Sequence, residues 1–387
     1  MPGHDLIVVG ASAGGVEAIS SLVAGLPTDL QAAVCVVVHL RPDAQSRLTA
    51  ILARTTSLPV AAASDGMPIR SGTIYVAVPD LHLLVERAEG GEGVLRVVRG
   101  PRENRARPAV DPLFRSAALA YGPRVIGVVL SGALDDGTSG LWSVKDRGGI
   151  AVVQNPEDAA VSSMPASAIA EVAVDHVAPV DELGPLLGRL AREPVRMARL
   201  READEPLDEL EREVGITALD DRFHEDAERY GRPSRYSCPD CGGVLWDVTG
   251  EGPLRFRCEV GHAHTAASLA EGQTEVVEAA MWSALRALED KADLARRRSA
   301  SASARGYTMY AASFAVQEQA AQQHAAALRA LLRLDGRTGI RPRTGHEEAS
   351  EPADVMPGDR RFAEGRALDT DTAAGADTRS GSTSGAD

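Results

Sequence analysis

Short aliphatic runs alternate with amphipathic stretches along the first 190 residues. β-Branched runs predict strands over residues 6–9, 32–38, 125–130 and 149–154. Apolar positions at helical spacing predict helices over 16–23, 46–53, 112–121, 141–147 and 165–172. Continuous Val and Ile runs that alternate with helices are typical of a parallel sheet covered on both faces. We therefore predict a doubly wound, mostly parallel α/β domain over residues 1–190. Within it, segments 72–78 and 81–85 flank Pro79-Asp80 and predict a β-hairpin.

The pattern changes after residue 190. Between Arg201 and Glu228, twelve acidic residues stand against three arginines, which predicts a solvated acidic linker over 191–235. A Cys-rich segment over 236–265 follows. Two Ala-rich stretches with helical spacing over 266–334 are expected to pair as a helical hairpin, with each other or in a homodimer. Residues 335–387 show no apolar period and predict a disordered tail.

Composition narrows the class of protein. The chain has 387 residues and a net charge of −14, which disfavours nucleic acid as a partner because phosphate binding depends on Lys and Arg. No apolar run approaches the roughly 20 residues of a membrane-spanning helix, so no membrane insertion is expected. The first residues lack the basic and apolar regions of a signal peptide, and three clustered cysteines suggest a metal site rather than disulfides. These features predict a cytoplasmic protein.

A serine lies in a Gly-rich turn between the first strand and the first helix. In Gly10-Ala-Ser12-Ala-Gly-Gly15, the spacing G-x-S-x-G places the serine hydroxyl on a sharp turn above the sheet. The backbone N–H groups of Ala13 and Gly14, at the start of the helix, are the expected oxyanion donors. A dinucleotide-binding loop is the rival interpretation, but it needs glycine in place of Ser12 and an acid where the second strand ends in His39.

Partners for a nucleophilic serine follow two other strands. His39 ends the second strand and Asp136 follows the strand over 125–130, so both are expected at the carboxyl edge of the sheet. A serine needs a base, and the base needs a carboxylate that fixes its tautomer. We therefore predict a Ser12, His39 and Asp136 triad. The alternatives that remain open at strand ends are Asp135, Ser131, His82 and His176.

Seven ordered motifs resemble the catalytic domain of the CheB-type protein-glutamate methylesterases over residues 5–190. They are Ile7-Val-Val-Gly-Ala-Ser-Ala-Gly-Gly15, Val37-Val-His-Leu40, Tyr75-Val-Ala-Val-Pro79, His82-Leu-Leu-Val85, Arg107-Pro-Ala-Val-Asp111, Leu130-Ser-Gly-Ala-Leu-Asp-Asp-Gly137 and Ser163-Met-Pro-Ala166. The resemblance implies a serine hydrolase that removes methyl esters from glutamates of methylated chemoreceptor-like proteins, in some members with glutamine deamidation, and with no cofactor for catalysis. By motif position, the nucleophile falls on Ser12, the histidine on His39 and the aspartate on Asp136.

The chain departs from the family pattern in three places. The catalytic strand begins at residue 5, without the receiver domain of well-studied members, so we expect no regulation by phosphorylation in cis. Gly132-Ala-Leu134 replaces the frequent Gly-Met-Gly, whose Met helps to shape the oxyanion site. The Cys-rich segment is an addition. The competing functions are therefore an esterase with another substrate and a signalling adaptor with a vestigial hydrolase domain.

The Cys-rich segment has the ligand spacing of a zinc ribbon. Cys238 and Cys241 form C-x2-C, and Cys258 and His262 follow as C-x3-H, which together supply four ligands for tetrahedral zinc. His264 is an alternative to His262. Four protein ligands leave no open position, so a structural Zn²⁺ is predicted. We expect the α/β domain to be complete without it.

Overall fold

The computed structural model describes residues 3–39, 47–88, 91–195, 209–223, 231–248 and 252–335. The predicted tail beyond residue 335, and parts of the predicted linker at 196–208 and 224–230, lie outside the described residues.

The first region, residues 3–195, is built on a seven-stranded sheet and is called the sheet region below. Its strand order is β3-β4-β2-β1-β7-β8-β9, and every pairing is parallel. The elements in chain order are β1 (Leu6–Ala11), α1 (Gly15–Ala24), β2 (Ala33–Val38), α2 (Leu48–Thr55), β3 (Val60–Ala62), β4 (Ile74–Val76), β5 (His82–Arg87), β6 (Gly93–Val98), α3 (Val110–Tyr121), β7 (Val125–Val129), α4 (Thr138–Asp146), β8 (Ile150–Gln154), α5 (Ser163–Glu171), β9 (His176–Ala178) and α6 (Val180–Leu190). The predicted doubly wound α/β fold is confirmed.

Both faces of the sheet are buried, which explains the continuous aliphatic runs. Along β1, Ile7 and Val9 belong to a core with α1, α2 and α6, while Leu6 and Val8 belong to a second core with α3, α4 and α5. Alternate side chains of a strand point to opposite faces, so a strand covered on both sides needs apolar residues at every position. The chain reverses its direction across the sheet at β1, which lies between β2 and β7. Ligands of such folds bind at this switch point, beyond the carboxyl ends of the strands.

The predicted hairpin over 72–85 is wrong. β4 joins the sheet parallel to β2, whereas β5 pairs antiparallel with β6 in a separate two-stranded ribbon. All three residues of β4 are buried, as suits an inner strand of a parallel sheet. Pro79 and Asp80 mark a turn, but the turn connects two different sheets.

The C-terminal elements form a small antiparallel sheet and two long helices. They are α7 (Glu209–Thr217), β10 (Arg232–Ser237), β11 (Val244–Asp247), β12 (Arg255–Cys258), β13 (Ala263–Thr265), α8 (Ala266–Ala304) and α9 (Thr308–Asp335). Strands β10 to β13 pair in sequence order, and residues 231–265 are called the Cys/His module below. The predicted hairpin of α8 and α9 is confirmed: Ser299 Oγ donates to the carbonyl of Ala311, and Arg298 lies over the Phe314 ring. Its homodimerisation remains a prediction.

Part of the predicted linker is buried. Helix α7 has five buried residues, including Glu213 and Thr217, and packs against α3. The prediction of a solvated segment is therefore wrong for residues 213–217, because the carboxylate of Glu213 lies against buried Arg257 rather than water. Among the described residues, no helix combines the length and the apolar content that crossing a lipid bilayer requires.

Candidate active site

Two adjacent strands deliver the predicted nucleophile and base. Ser12 directly follows β1 and His39 directly follows β2. The last residues of these strands are paired in parallel register, and the N–H of His39 donates to the carbonyl of Ala11 at 3.3 Å. Because neighbouring strands lie about 4.8 Å apart, the backbones of Ser12 and His39 are side by side at the carboxyl edge of the sheet.

The turn that carries Ser12 depends on small residues. Gly14 has φ of 71°, and a Cβ there would lie 2.7 Å from the Cβ of Ala160 and 2.9 Å from Ser131 Oγ. The N–H of Ser12 donates to the carbonyl of Ser131 at 2.9 Å, which ties the turn to the loop after β7. Only glycine combines this left-handed backbone with so little space. The local sequence therefore holds Ser12 in a sharp turn between β1 and α1.

The two predicted oxyanion donors lie at the start of α1. Helix α1 begins at Gly15 with Gly14 as its N-cap, so the N–H groups of Ala13 and Gly14 lie just before a first turn that no side chain caps. Within the part of the chain that the structure describes, neither group donates to a protein acceptor. Free N–H groups at a helix N-terminus attract negative charge. Their role as an oxyanion hole stays a prediction.

Gly132, the first residue of the Gly-Ala-Leu sequence that departs from the family pattern, lies next to Ser12. A Cβ on Gly132 would lie 2.0 Å from Met164 Sδ and 2.9 Å from the Cβ of Ser12. Met164 belongs to α5 and is fully buried. Gly132 therefore leaves no room for a side chain between Ser12 and Met164 of the Ser163-Met-Pro-Ala166 motif.

His39 and Asp136 form a short hydrogen bond. His39 Nε2 lies 2.6 Å from Asp136 Oδ2, and the side chains are 23% and 2% exposed. A carboxylate only accepts hydrogen bonds, so Nε2 carries the proton in this pair and Nδ1 is left as the basic nitrogen. The carboxylate thus fixes the tautomer that a general base requires.

Asp136 is buried among donors. The backbone N–H groups of Val110 and Asp111 donate to its two oxygens at 2.7 and 3.2 Å, and Asn104 Nδ2 donates to Oδ1 at 2.8 Å. Burial alone would raise the pKa of Asp136, but the hydrogen bond and the charge of His39, with these donors, bring it below its ordinary value. The group is therefore an anion that orients His39.

The alternative residues at strand ends have other partners. Asp135 accepts a hydrogen bond from Thr265 Oγ1 at 2.7 Å, and burial raises its pKa to about 6. Ser131 is buried, and its Oγ donates to the carbonyl of Ala13 and accepts from the N–H of Val161. His82 is buried between backbone groups, and burial lowers its pKa. These contacts are structural and leave the predicted set as the best candidate.

Sequence reasoning missed Asn104 and gave Asp111 no role. Asp111 accepts from the N–H groups of Gly137 and Gly140 at 3.1 and 2.6 Å, which fixes the loop that presents Asp136. Burial and the neighbouring charge of Asp136 raise the pKa of Asp111 to about 7. The motif at 107–111 carries a signal for this residue. Nothing in the sequence marks Asn104, because most of its partners, such as Asp136 and Thr265, are distant along the chain.

The predicted metal ligands converge. Atoms of Cys238, Cys241, Cys258 and His262 all lie within 4.8 Å of one another. Cys241 Sγ is 3.7 Å from Cys258 Sγ, and His262 Nδ1 is 3.6 Å from Cys258 Sγ and 3.8 Å from Cys238 Sγ. With Zn–S bonds of about 2.3 Å, tetrahedral ligands lie roughly 3.7 Å apart. The donor set and its spacing fit zinc.

His264 lies beside this set. Its Nε2 is 3.6 Å from Cys238 Sγ and 3.3 Å from Asp240 Oδ2, and its ring is buried. Cys238, Asp240 and His264 also group closely enough to hold an ion. The set with His262 supplies three thiolates and an imidazole and is the better match to zinc.

Comparisons with known proteins match the sheet region. The CheB methylesterase family model matches residues 7–187. A Leptospira interrogans protein, provisionally named a protein-glutamate methylesterase/protein-glutamine glutaminase, is 36% identical over 48% of this chain and 95% of its own length. The corresponding enzymes of Anaeromyxobacter dehalogenans (number 2) and Nocardioides sp. are 39% and 40% identical over 49% of this chain. The chain spans about half of their length, 54% and 52%.

A solved structure also matches the same region. The Thermotoga maritima CheB methylesterase catalytic domain is 32% identical and aligns with a TM-score of 0.47 over 48% of this chain and 98% of its own. The identity to the Leptospira interrogans protein extends over nearly all of that relative. The chain therefore belongs to the CheB methylesterase family.

Proposed function

We propose that this protein hydrolyses the methyl esters of glutamate side chains in chemoreceptor-like proteins. The observation that carries the proposal is the 2.6 Å pair of His39 and buried Asp136 beside Ser12, in a region that belongs to the methylesterase family. The relatives are named for this activity. The reaction consumes water and releases a glutamate carboxylate and methanol. We also propose a cytoplasmic location, which the proposed substrate and the reduced thiols of the candidate metal site favour.

The reaction we propose is acyl transfer. His39 accepts the hydroxyl proton of Ser12 as the oxygen attacks the ester carbonyl. The N–H groups of Ala13 and Gly14 hold the oxyanion, and Asp136 stabilises the imidazolium that forms. His39 then gives its proton to the departing methanol. Water, activated by the same ring, hydrolyses the acyl-enzyme and restores Ser12. These side chains complete the reaction without a cofactor.

Glutamine deamidation is a second candidate, because the relatives' names carry both activities. The same serine attacks a glutamine amide, and ammonia leaves in place of methanol. Methylated and amide-bearing receptor peptides, assayed for methanol and for ammonia, separate the two activities. Hydrolysis of unrelated methyl esters at equal kcat/KM would favour an esterase with another substrate.

A vestigial hydrolase that acts as an adaptor is the competing class of function. A fluorophosphonate probe that reacts with activated serines distinguishes it. We expect the wild-type protein to be labelled at Ser12 and the Ser12→Ala variant to remain unlabelled. A wild-type protein that resists the probe and releases no methanol would favour the adaptor.

We also assign a structural zinc ion to Cys238, Cys241, Cys258 and His262. The support is their mutual spacing and the absence of an open position in a four-ligand set. Metal analysis of the purified protein should give one zinc per chain, and Cys258→Ser should lose it. Retention of zinc in the His262→Ala variant but not in His264→Ala would instead favour the set with His264 and Asp240.

A further inference from the structure

The Cys/His module is joined to the sheet region through buried charges. Arg257, on β12, is fully buried and donates to Glu213 Oε2 at 2.6 Å and to Glu103 Oε1 at 3.2 Å. Glu103 also pairs with buried Arg115 of α3. Glu103 belongs to the loop between β6 and α3, which also carries Asn104. A charge removed from water is costly unless it is paired, so these groups hold the module in one position.

Backbone contacts continue the same junction. The N–H of Asn104 donates to the carbonyl of Ala263 at 2.8 Å, and the N–H of Ala263 donates to the carbonyl of Arg102 at 3.2 Å. A Cβ on Gly261 would lie 2.6 Å from Cγ of Pro101. The loop over 101–104 therefore lies directly between the module and the active site.

Asn104 uses its whole amide in this junction. Nδ2 donates to Asp136 Oδ1 at 2.8 Å and to Asp111 Oδ2 at 2.9 Å. Oδ1 accepts from the N–H of Thr265 at 3.0 Å and from Ser268 Oγ at 3.1 Å. Two carboxylates on one side and two donors on the other admit only one orientation of the amide. Asn104 thus connects the start of α8, from which it accepts two hydrogen bonds, to the carboxylate of Asp136, which orients His39.

Thr265 adds a second link. Its Oγ1 accepts from the N–H of Ser268 as the N-cap of α8, and it donates to Asp135 Oδ1 at 2.7 Å. Asp135 precedes Asp136 in the same loop. The start of α8 is therefore linked to Asp135 directly and to Asp136 through Asn104, although it lies outside the region that matches the family.

Building on the proposed function, we infer that Thr265 and Ser268 position Asp136 through Asn104, so that the docked Cys/His module and α8 complete the esterase site. Asn104 is a positioning residue for the triad. Methylesterase turnover then depends on residues of α8 that contact neither the substrate nor the reacting atoms.

Ser268→Ala is the principal test. It removes one hydrogen bond to Asn104 Oδ1, and kcat on a small methyl ester should fall about tenfold with KM unchanged, as expected when one buried hydrogen bond that favours the transition state is lost. Ser283→Ala is the matched control, because Ser283 lies on the same helix and its Oγ donates to a backbone carbonyl one turn earlier, that of Ala279, as Ser268 Oγ does to that of Thr265. It should behave as wild type. Thr265→Val, which lacks the hydroxyl, should lower kcat, whereas Thr265→Ser, which keeps it, should have a kcat close to that of wild type.

Two measurements separate positioning from a loss of structure. The imidazole proton shared by His39 and Asp136 should give a downfield NMR resonance, and Ser268→Ala should move it while zinc content and Tm stay close to wild type. In an Asn104→Gly background, which accepts the left-handed backbone of that residue (φ of 49°), Ser268→Ala should have no further effect on kcat. An unchanged kcat and an unchanged resonance in Ser268→Ala would overturn the inference, as would equal effects in both backgrounds.

Failure of the proposed function is distinguishable from failure of this inference. If wild type hydrolyses no glutamyl methyl ester, the rate of fluorophosphonate labelling at Ser12 replaces kcat, and the NMR resonance needs no substrate. Slower labelling in Ser268→Ala but not in Ser283→Ala still supports the link. Equal labelling rates in all three proteins refute it.

Discussion

The sheet region and the Cys/His module are stabilised in different ways. The sheet region buries aliphatic side chains on both faces of seven strands, in two separate cores. Among the described residues, the hydrophobic core of the module has five members, of which two are candidate metal ligands and one, Leu269, comes from α8. So small a unit needs a metal or a partner to fold. Burial of apolar surface stabilises the first region, whereas the second depends on the ion pairs of Arg257 and on the zinc ion that we propose.

The proposed active site depends on both regions. Its reacting groups all belong to the sheet region, but Asn104, which holds Asp136, is itself held by residues of the second region. A region that is complete in its core is therefore incomplete in its catalytic geometry. Variants that affect only one region test this distinction directly.

The largest expected effect comes from the nucleophile. Ser12→Ala should lower methyl ester hydrolysis by about 10⁴-fold, the scale for losing a triad member. The side chain contributes little to the core, so the Tm and circular dichroism should stay at wild-type values. Wild-type turnover in this variant would refute the assignment. Ser131→Ala is the comparison, because Ser131 is a buried structural serine. This variant should lower the free energy of unfolding. Its kcat per folded molecule should fall far less than that of Ser12→Ala.

The next effect concerns the junction between the two regions. Arg257→Ala leaves the Glu213 carboxylate buried with fewer partners, and the free energy of unfolding should fall by about 3–5 kcal/mol. Urea denaturation, followed by fluorescence, measures it. Arg192→Ala is the matched control, because it removes a pair with Asp29 that is exposed on both sides, and such pairs contribute about 0–1 kcal/mol. Equal losses in the two variants would show that the junction contributes little.

The sequence predicts the local features of the active site well and the junction poorly. Strand-end placement is a local signal, and it predicted the positions of Ser12, His39 and Asp136 at one edge of the sheet. The convergence of the four candidate Cys and His ligands also follows from their spacing in the sequence. Asn104 and Thr265 are separated by 160 residues without a periodic pattern, so only the folded structure brings them together.

Two other errors have a common physical cause. The acidic run around α7 predicted a solvated linker. A pattern of charges along the chain does not show that one carboxylate, that of Glu213, pairs with a buried arginine in the folded protein. The hairpin predicted over 72–85 contained a correct turn at Asp80 but the wrong strand partners. Pairing between distant segments depends on the whole fold, and short apolar runs specify it weakly.

Removal of the metal should produce a smaller effect on turnover. Strong chelation unfolds the module, because metal-binding free energy is folding free energy in so small a unit. Asn104 then loses its hydrogen bonds from Thr265 and Ser268, and kcat should fall by about tenfold or more. Circular dichroism should show that the sheet region stays folded. Re-addition of zinc should restore both zinc content and kcat. Unchanged turnover in the chelated protein would show that the sheet region is catalytically complete, as the sequence alone predicts.

The smallest expected effect is a pH dependence of the free energy of unfolding, which arises from Glu213 at the junction between the two regions. Burial would raise the pKa of Glu213, but the charges of Arg255, Arg257 and Arg115 lower it to about 2, below the 4.5 of an unperturbed Glu. A lowered folded-state pKa gives stability that is present above pH 4.5 and is lost as the pH falls toward 2. Glu213→Gln removes this titration, so the stability gap between wild type and variant should narrow by about 0.8 kcal/mol from pH 6 to pH 4. Paired denaturation curves cancel the other acids, including Asp111 and Asp135, whose raised pKa values act in the opposite direction. A gap that stays constant with pH would mean that Glu213 is not a buried anion and that the Cys/His module is docked by other contacts.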